Sequence, residues 1–152
     1  MSYLLDTNVL SELRKSAQRG DPNVRAWAQR QPTSELSISV ITVMEIEIGI
    51  ARLERRDSAQ GQVLRTWLER GLLAAFATRT LPVDLDVVRR AALMHVPDPR
   101  SERDVLIAAT ALTHNLVVVT RNIADFQSLG VELLNPWEEH GRIFQIGQVT
   151  IG

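Results

Sequence analysis

The feature that most constrains the fold is an alternation of short apolar runs with longer segments of helical periodicity. Residues 3–5 and 116–119 are continuously apolar, which is typical of buried strands, and weaker strand candidates occupy residues 36–40, 131–134 and 80–83. Between these runs the pattern predicts helices over residues 21–30, 42–56, 59–77, 84–95, 102–114 and 123–128. Strands separated by helices favour an α/β domain with a mainly parallel sheet.

Length and composition narrow the class of protein. The chain has 152 residues with 45% hydrophobic and 23% charged side chains, which fits one globular domain. We assign residues 1–140 to this domain and interpret residues 141–152 as either a tail or an extra edge strand. The absence of cysteine excludes disulfide scaffolds, thiol nucleophiles and cysteine-ligated metals.

The charge balance and the N-terminus bear on partners and location. The formal net charge of −1 argues against a protein that holds nucleic acid through a bulk positive field. No apolar run approaches the ~20 residues of a membrane span, and the N-terminus does not resemble a signal peptide. We therefore expect a soluble cytoplasmic protein with no membrane partner.

Four acidic residues stand at the ends of predicted strands or the starts of predicted helices: Asp6, Glu45, Asp104 and Asp125. A purely structural interpretation is available for each, because Asp6 can cap the next helix and the others lie three residues after Thr42, Ser101 and Asn122, as in capping boxes. Helices that follow parallel strands begin at the carboxyl edge of the sheet, so the four acids are expected to converge there.

Converging carboxylates predict a metal site. The helix N-termini should favour their ionised forms, and several ionised carboxylates repel one another unless a cation lies among them. Oxygen ligands without cysteine favour Mg²⁺ or Mn²⁺. Such ions bind phosphate groups and activate water, which indicates phosphodiester hydrolysis or phosphoryl transfer.

The chain also resembles a known family, the PIN-domain ribonucleases, and within it the VapC/FitB toxins of bacterial type II toxin–antitoxin pairs. The resemblance covers about residues 3–137 and rests on four segments in order: MSYLLDTNVLSEL, ITVMEIEIGIARLE, SERDVLIAATALTHNLVVVTRNIADF and LLNPW. It implies a PIN-like three-layer α/β/α fold whose mainly parallel central sheet has four or five strands. It further implies a Mg²⁺-dependent endoribonuclease, in which Mn²⁺ can substitute, inhibited by a cognate antitoxin.

The resemblance assigns roles to individual residues. Asp6, Glu45 and Asp104 match the three core acids, of which Asp6 and Asp104 are expected to ligate the metal most directly. Asp125 matches the fourth and more variable acid, with Asn122 as the alternative position. The matching polar support positions are Asn8 and Thr120. As RNA-backbone contacts we consider Arg14, Lys15 and Arg121.

Partners follow from the same resemblance: an RNA substrate, a VapB/FitA-like antitoxin, a second copy in a homodimer, and operator DNA reached through the antitoxin. Two other functions stay open. The acids could be helix caps in a non-catalytic, partner-binding α/β domain. A receiver-like or phosphatase-like phosphotransfer domain also clusters acids at a sheet edge, but it usually needs a lysine after a strand, and Lys15 is the only lysine.

Overall fold

The computed structural model describes residues 1–139 and the backbone of Ile143–Phe144. A six-stranded sheet has the order β3-β2-β1-β4-β5-β6. Its strands are β1 (Tyr3–Leu5), β2 (Leu36–Ser39), β3 (Thr80–Leu81), β4 (Val117–Val119), β5 (Leu133–Leu134) and β6 (Ile143–Phe144). The first five are parallel and β6 is antiparallel to β5. The predicted parallel sheet is confirmed.

Eight helices connect the strands of the described residues: α1 (Thr7–Arg14), α2 (Pro22–Arg30), α3 (Val40–Arg56), α4 (Ser58–Thr66), α5 (Leu73–Ala75), α6 (Leu85–Met94), α7 (Glu102–Thr113) and α8 (Ile123–Phe126). A π-helical segment, Trp67–Leu72, joins α4 to α5, so the single helix predicted over residues 59–77 changes its hydrogen-bonding pattern midway. Short 3₁₀ turns occur at Thr33–Glu35 and Gln127–Leu129. No helix in this part of the chain is long and apolar enough to cross a membrane.

Alternating strand residues build a core on each face of the sheet. Leu5 and Val119 point into one cluster, which α1, α2, α3 and the π-helical segment cover. Leu4 and Val118 point into the other, which α6, α7 and α8 cover. Because all three residues of β1 and of β4 are buried, these strands read as continuous apolar runs. The helix–sheet–helix layering confirms the predicted three-layer fold.

Several element boundaries differ from the sequence-based prediction. Helix α3 begins at Val40 because the Ser39 side chain accepts a hydrogen bond from the Ile41 amide, so the predicted cap at Thr42 is wrong. Strand β3 ends before Pro82, which cannot donate to a ladder. Within residues 141–152 only the two residues of β6 are described, as an edge strand; the rest lies outside the described residues, and the boundary at residue 140 stays a prediction.

The strand order places a junction at the centre of the sheet. From β1 the chain moves outward to β2 and β3, then returns to add β4 on the other side of β1. At such a reversal the loops after the two strands diverge and leave a crevice at their carboxyl ends. Asp6 follows β1 and Thr120 follows β4, so both residues lie at this crevice.

Candidate metal centre

Asp6 is anchored where β1 and β4 end. Its backbone amide donates to the Val119 carbonyl (2.9 Å), which continues the strand pairing into the site. Its side chain is only 7% exposed and accepts hydrogen bonds from the Thr7 amide (2.8 Å) and the Thr120 hydroxyl (2.8 Å). Asp6 is thus the N-cap of α1 and also a fixed carboxylate at the sheet edge.

Two polar side chains, Asn8 and Thr120, form hydrogen bonds around this carboxylate. The Thr120 hydroxyl donates its one proton to Asp6 Oδ2 and accepts from Asn8 Nδ2 (3.2 Å) and the Asn122 amide (3.0 Å). Asn8 Oδ1 accepts from the Arg121 amide (3.2 Å), and Asn8 Nδ2 lies 3.4 Å from Asp6 Oδ2. The loops after β1 and β4 are therefore joined by one hydrogen-bonded network around Asp6.

The other three acids approach from separate helices. Glu45, half-buried on α3, accepts from the Thr7 hydroxyl (3.1 Å) and lies 3.9 Å from the Arg103 guanidinium. Asp104 lies in the first turn of α7 and is hydrogen-bonded to the Ser101 side chain. Asp125 is exposed on α8. Although α7 follows a loop and no strand directly precedes it, the fold carries its first turn to the same edge as Asp6.

Electrostatic coupling shows that the acids are close enough to repel one another. Burial raises the pKa of Asp6, the Asp125 charge adds to this, and the hydrogen bonds from Thr120 and Thr7 oppose it. Burial also raises the pKa of Asp104, with further increases from the charges of Asp125 and Asp6. The pKa of Glu45 is raised by burial and by the charges of Asp6 and Asp104, against the Thr7 hydrogen bond and the Arg103 charge.

The direction of these pKa shifts corrects one expectation from the sequence. Helix N-termini favour ionised carboxylates, and on that ground alone the acids should have lowered pKa values. Burial of the carboxylates acts in the opposite direction and decides the net shift for Asp6, Glu45 and Asp104. A cation among them would relieve both the burial and the repulsion.

The donor set fits Mg²⁺ or Mn²⁺. The converging ligands are all oxygen atoms, and no cysteine is available in the chain. Among the described residues, no group of three or more His, Asp or Glu side chains is arranged so that it could hold a metal ion. Mg²⁺ keeps several water ligands and is commonly held by one or two carboxylates, so an open site built around Asp6 and Asp104 matches its requirements.

The predicted RNA-binding residues have different surroundings. Arg121 lies with its guanidinium 5.3 Å from the centre of the Trp137 ring, and its backbone belongs to the Asp6 network. Lys15 is paired with Glu12 (2.8 Å) at the end of α1 and does not contact the four acids. Arg14 lines a surface groove beside the site.

This groove, which we call the α1–α3 groove, has a volume of about 340 Å³. It begins at Thr7 and Glu45 and continues along an apolar floor that includes Ile50 and Trp67. Arg14 and Arg56, at the C-terminal ends of α1 and α3, also line it, so the groove carries both acidic and basic side chains.

The capping interpretation of the acids holds only in part. Asp6 does cap α1, but Thr42 lies inside α3, fully buried, with no hydrogen-bond partner for its hydroxyl in the described part of the chain. Ser101 and Asn122 occupy N-cap positions without a side-chain bond to the helix backbone. Glu47, two residues after Glu45, pairs instead with Arg65, which also binds Glu54.

Two site residues were missed by the sequence reasoning. Thr7 links Asp6 to Glu45, since its amide donates to the first and its hydroxyl to the second. Arg103 brings a positive charge to Glu45. Both stand next to a predicted acid in the sequence, and that adjacency was the only available signal.

Comparison with known proteins shows what this chain is similar to. The family model described as PIN domain matches residues 3–131. The VapC ribonuclease Y4jK of Sinorhizobium fredii is 37% identical over 140 residues, covering 89% of this chain and 97% of that protein. Toxin FitB of Neisseria gonorrhoeae is 37% identical over 144 residues, covering 90% and 99%.

Solved structures agree with these sequence matches. The crystal structure of FitAcB from Neisseria gonorrhoeae has a chain that superposes with a TM-score of 0.81 at 34% identity, covering 90% of this chain and 99% of that one. A chain in the structure of FitAB bound to an IR36 DNA fragment gives a TM-score of 0.79 at 33% identity, with 91% and 99% covered. The matched regions include all four converging acids up to Asp125.

Proposed function

Because the chain belongs to the PIN-domain family, we propose that it is a metal-dependent endoribonuclease acting as the toxin of a type II toxin–antitoxin pair. The observation that carries the proposal is the network around Asp6, which fixes a buried carboxylate at the junction of β1 and β4. Three further acids from α3, α7 and α8 surround it. Relatives named VapC ribonuclease and toxin FitB support the same activity.

In this proposal Asp6 and Asp104 hold the metal, and Glu45 and Asp125 complete the acidic pocket. A bound Mg²⁺ or Mn²⁺ would supply an activated water and stabilise the oxygen that departs from phosphorus. Glu45 is suited to hold a proton of the attacking water, because its pKa is raised and it lies at the open, groove side of the site. Asp125 supplies the fourth charge, whereas Asn122 contributes its backbone amide to Thr120.

Arg121 is the best-placed cation for the RNA backbone. Its main chain is bonded to Asn8 and its guanidinium lies over Trp137, which restricts the side chain before RNA arrives. Trp137 is itself fixed, since its carbonyl accepts from the Asn23 side chain (2.9 Å). Arg14 is a second contact through the groove, and Lys15 contributes less because Glu12 already neutralises it.

The α1–α3 groove is the proposed antitoxin site. Its apolar floor suits a hydrophobic segment, and a basic side chain at the Glu45 end would reach the acidic pocket. The solved neighbours include FitAB bound to a DNA fragment, which supports an assembly that contacts operator DNA through the antitoxin. With RNA as substrate and an antitoxin as partner, the proposed site of action is the cytoplasm.

The direct test is cleavage of RNA by the purified chain with Mg²⁺, with Mn²⁺ and with EDTA. We expect cleavage with either metal, none with EDTA, and loss of activity in Asp104→Asn. The matched control is Asp98→Asn, an exposed carboxylate in the loop before α7 that should leave activity unchanged. Full activity in Asp104→Asn would contradict the site.

The two other functions have distinct signatures in the same experiment. A partner-binding domain would show neither RNA cleavage nor thermal stabilisation by Mn²⁺. A phosphotransfer domain needs a lysine at the site, and the single lysine of the chain pairs with Glu12. The geometry therefore disfavours phosphotransfer.

A further inference from the structure

Arg103 is a cation at the edge of the acidic pocket that has no role yet in the proposed function. It is the second residue of α7 and directly precedes Asp104. Its guanidinium lies 3.9 Å from a carboxylate oxygen of Glu45, and its side chain is 49% exposed. The positive charge is therefore in contact both with the pocket and with the solvent from which a substrate arrives.

The stability of α7 does not account for an arginine at this position. The first turn of a helix carries a partial positive charge, which favours acidic side chains and opposes a cation. Compensation comes from the pocket, because the charge of Arg103 lowers the pKa of Glu45. For Asp6 and Asp104, by contrast, hydrogen bonds are what oppose the rise in pKa. Arg103 is thus the cation that belongs to the acidic pocket.

The contact with Glu45 leaves the guanidinium available to another group. A separation of 3.9 Å is too long for a hydrogen bond, and among the described residues the Arg103 side chain forms no hydrogen bond and no second ion pair. Arg65 shows the contrast, since its guanidinium bonds to both Glu47 and Glu54. A guanidinium presents five N–H donors in a planar fork that matches two oxygens of a phosphate. The donors of Arg103 are free for such a ligand.

We propose that Arg103 binds the RNA phosphate at which cleavage occurs and is a catalytic residue of the ribonuclease, an inference that rests on the proposed function. The phosphate is an anion that enters a pocket of carboxylates, so a positive charge beside it offsets a repulsion that the chain itself creates. Negative charge on the non-bridging oxygens increases as the attacking water bonds to phosphorus. A guanidinium that holds these oxygens stabilises the transition state more than the substrate.

The proton and the electrons of this step are accounted for without Arg103. The oxygen of the attacking water forms a bond to phosphorus while the bond from phosphorus to the leaving oxygen breaks. Glu45 takes a proton of that water, and solvent supplies a proton to the leaving oxygen. Arg103 stays protonated throughout, and its contribution is electrostatic.

Cleavage of a fluorescent single-stranded RNA oligonucleotide in Mg²⁺, with its cleavage site mapped beforehand, tests this role. We expect Arg103→Gln to lower kcat by about a hundredfold or more, as loss of one donor to a developing oxyanion does, and to change KM little. Arg103→Lys, which keeps the charge without the fork, should recover part of the loss. The matched control is Arg89→Gln, an exposed arginine of α6 that no contact links to the four acids in the described part of the chain; its kcat should be unchanged.

Sulfur substitution at the cleaved phosphate shows whether Arg103 touches it. Sulfur accepts hydrogen bonds poorly, so one of the two phosphorothioate isomers should be cleaved more slowly by the unmodified chain, without recovery when Mn²⁺ replaces Mg²⁺. Arg103→Gln has already lost this contact and should show a smaller effect of the same sulfur. Effects of equal size in the two proteins would mean that Arg103 does not contact the phosphate.

A measurement without RNA separates this role from a structural one. If Arg103 served only to hold Glu45 in place, its loss would disturb the pocket and weaken metal binding. In the proposal the pocket is intact, and removing a nearby positive charge leaves the acids at least as able to attract a cation. Arg103→Gln should therefore show a rise in Tm with Mn²⁺ at least as large as that of the unmodified chain.

Three results would overturn the proposal: an unchanged kcat in Arg103→Gln, equal sulfur effects with and without the arginine, or loss of the Mn²⁺ stabilisation together with activity. A failure of the proposed function looks different. An unmodified chain that leaves RNA intact with both metals removes the ribonuclease and the role of Arg103 with it. Cleavage that survives Arg103→Gln removes only the role of Arg103.

Discussion

At the scale of single residues, Asp104 lowers the stability of the folded protein at neutral pH, although the proposed function requires it. Its pKa is raised by burial and by the charges of Asp125 and Asp6. A carboxyl group whose pKa is higher in the folded than in the unfolded protein favours folding when protonated, and the folded state loses stability as pH rises from the unfolded pKa through the folded one. Asparagine cannot ionise and removes this loss.

We therefore predict a pH-dependent stability difference between Asp104→Asn and the unmodified chain. In EDTA, the variant should become relatively more stable as pH rises from roughly 4, the ordinary aspartate pKa, to neutrality. Added Mn²⁺ should reverse the order at neutral pH, because it stabilises only the intact acidic pocket. Thermal melts at both pH values measure this, and a difference that is constant with pH and metal would contradict it.

A second prediction concerns Thr120, whose hydroxyl forms hydrogen bonds with Asp6, Asn8 and the Asn122 amide. Thr120→Val keeps the shape of the side chain and removes all three hydrogen bonds. Unpaired buried polar groups cost about 1–3 kcal/mol, so the free energy of unfolding should fall by about that amount and RNA cleavage should fall with it. Urea denaturation checks the stability, and Thr120→Ser, which keeps the hydroxyl, should retain most of both properties.

Arg121 is expected to affect substrate binding more than the chemical step. Arg121→Gln removes one cation near the RNA backbone and leaves the acids intact, so KM for RNA should rise while kcat changes little. The slope of log affinity against log salt should decrease by about 0.7, the value for one phosphate contact on a single strand. Arg30→Gln, at the exposed end of α2, is the control. An unchanged salt slope would remove Arg121 from the RNA-binding surface.

At the scale of elements, replacing each of two helical glycines by alanine should change the free energy of unfolding in opposite directions. A Cβ at Gly61 of α4 would lie 2.5 Å from Glu54 Cγ and 2.8 Å from Glu54 Cα on α3, so the two helices would have to separate. A Cβ at Gly49 of α3 would meet no atom within 4 Å.

We predict that Gly61→Ala lowers the free energy of unfolding by about 1–3 kcal/mol, as overpacking does. Gly49→Ala should raise it by about 0.5–1 kcal/mol, because alanine has less backbone freedom to lose in a helix. Chemical denaturation of both variants measures the contrast. Equal effects of the same sign would show that α3 and α4 are not packed as closely as described.

Element order was predictable from the sequence, and element boundaries were less so. A few neighbouring residues suffice to predict some elements. Examples are the apolar runs of β1 and β4 and the Asp21–Pro22 pair that starts α2. The start of α3 was misplaced because Ser39 and Thr42 are both good caps, and only the folded structure shows that Ser39 accepts from the Ile41 amide while Thr42 lies one turn inside the helix. The π-helical turn at Trp67–Leu72 leaves no distinct pattern in the sequence.

At the scale of the whole molecule, the convergence of the acids could be predicted because sheet topology alone brings strand ends together. Their pKa shifts could not, since burial depends on the helices that pack around the site. The net charge of −1 was a poor guide to partners, because a sum over the chain hides four acids gathered at one edge.

The strand order also determines when during synthesis the centre can exist. Asp6 is made first, yet Thr120, which holds its carboxylate, and Asp125 come more than a hundred residues later, and β4 must insert beside β1 to bring them there. A chain interrupted before β4, on the ribosome or by a protease, lacks half of the hydrogen-bonded network around Asp6, so the proposed centre cannot form. A cell translating this protein thus meets no active fragment, and the antitoxin has only the finished molecule to restrain.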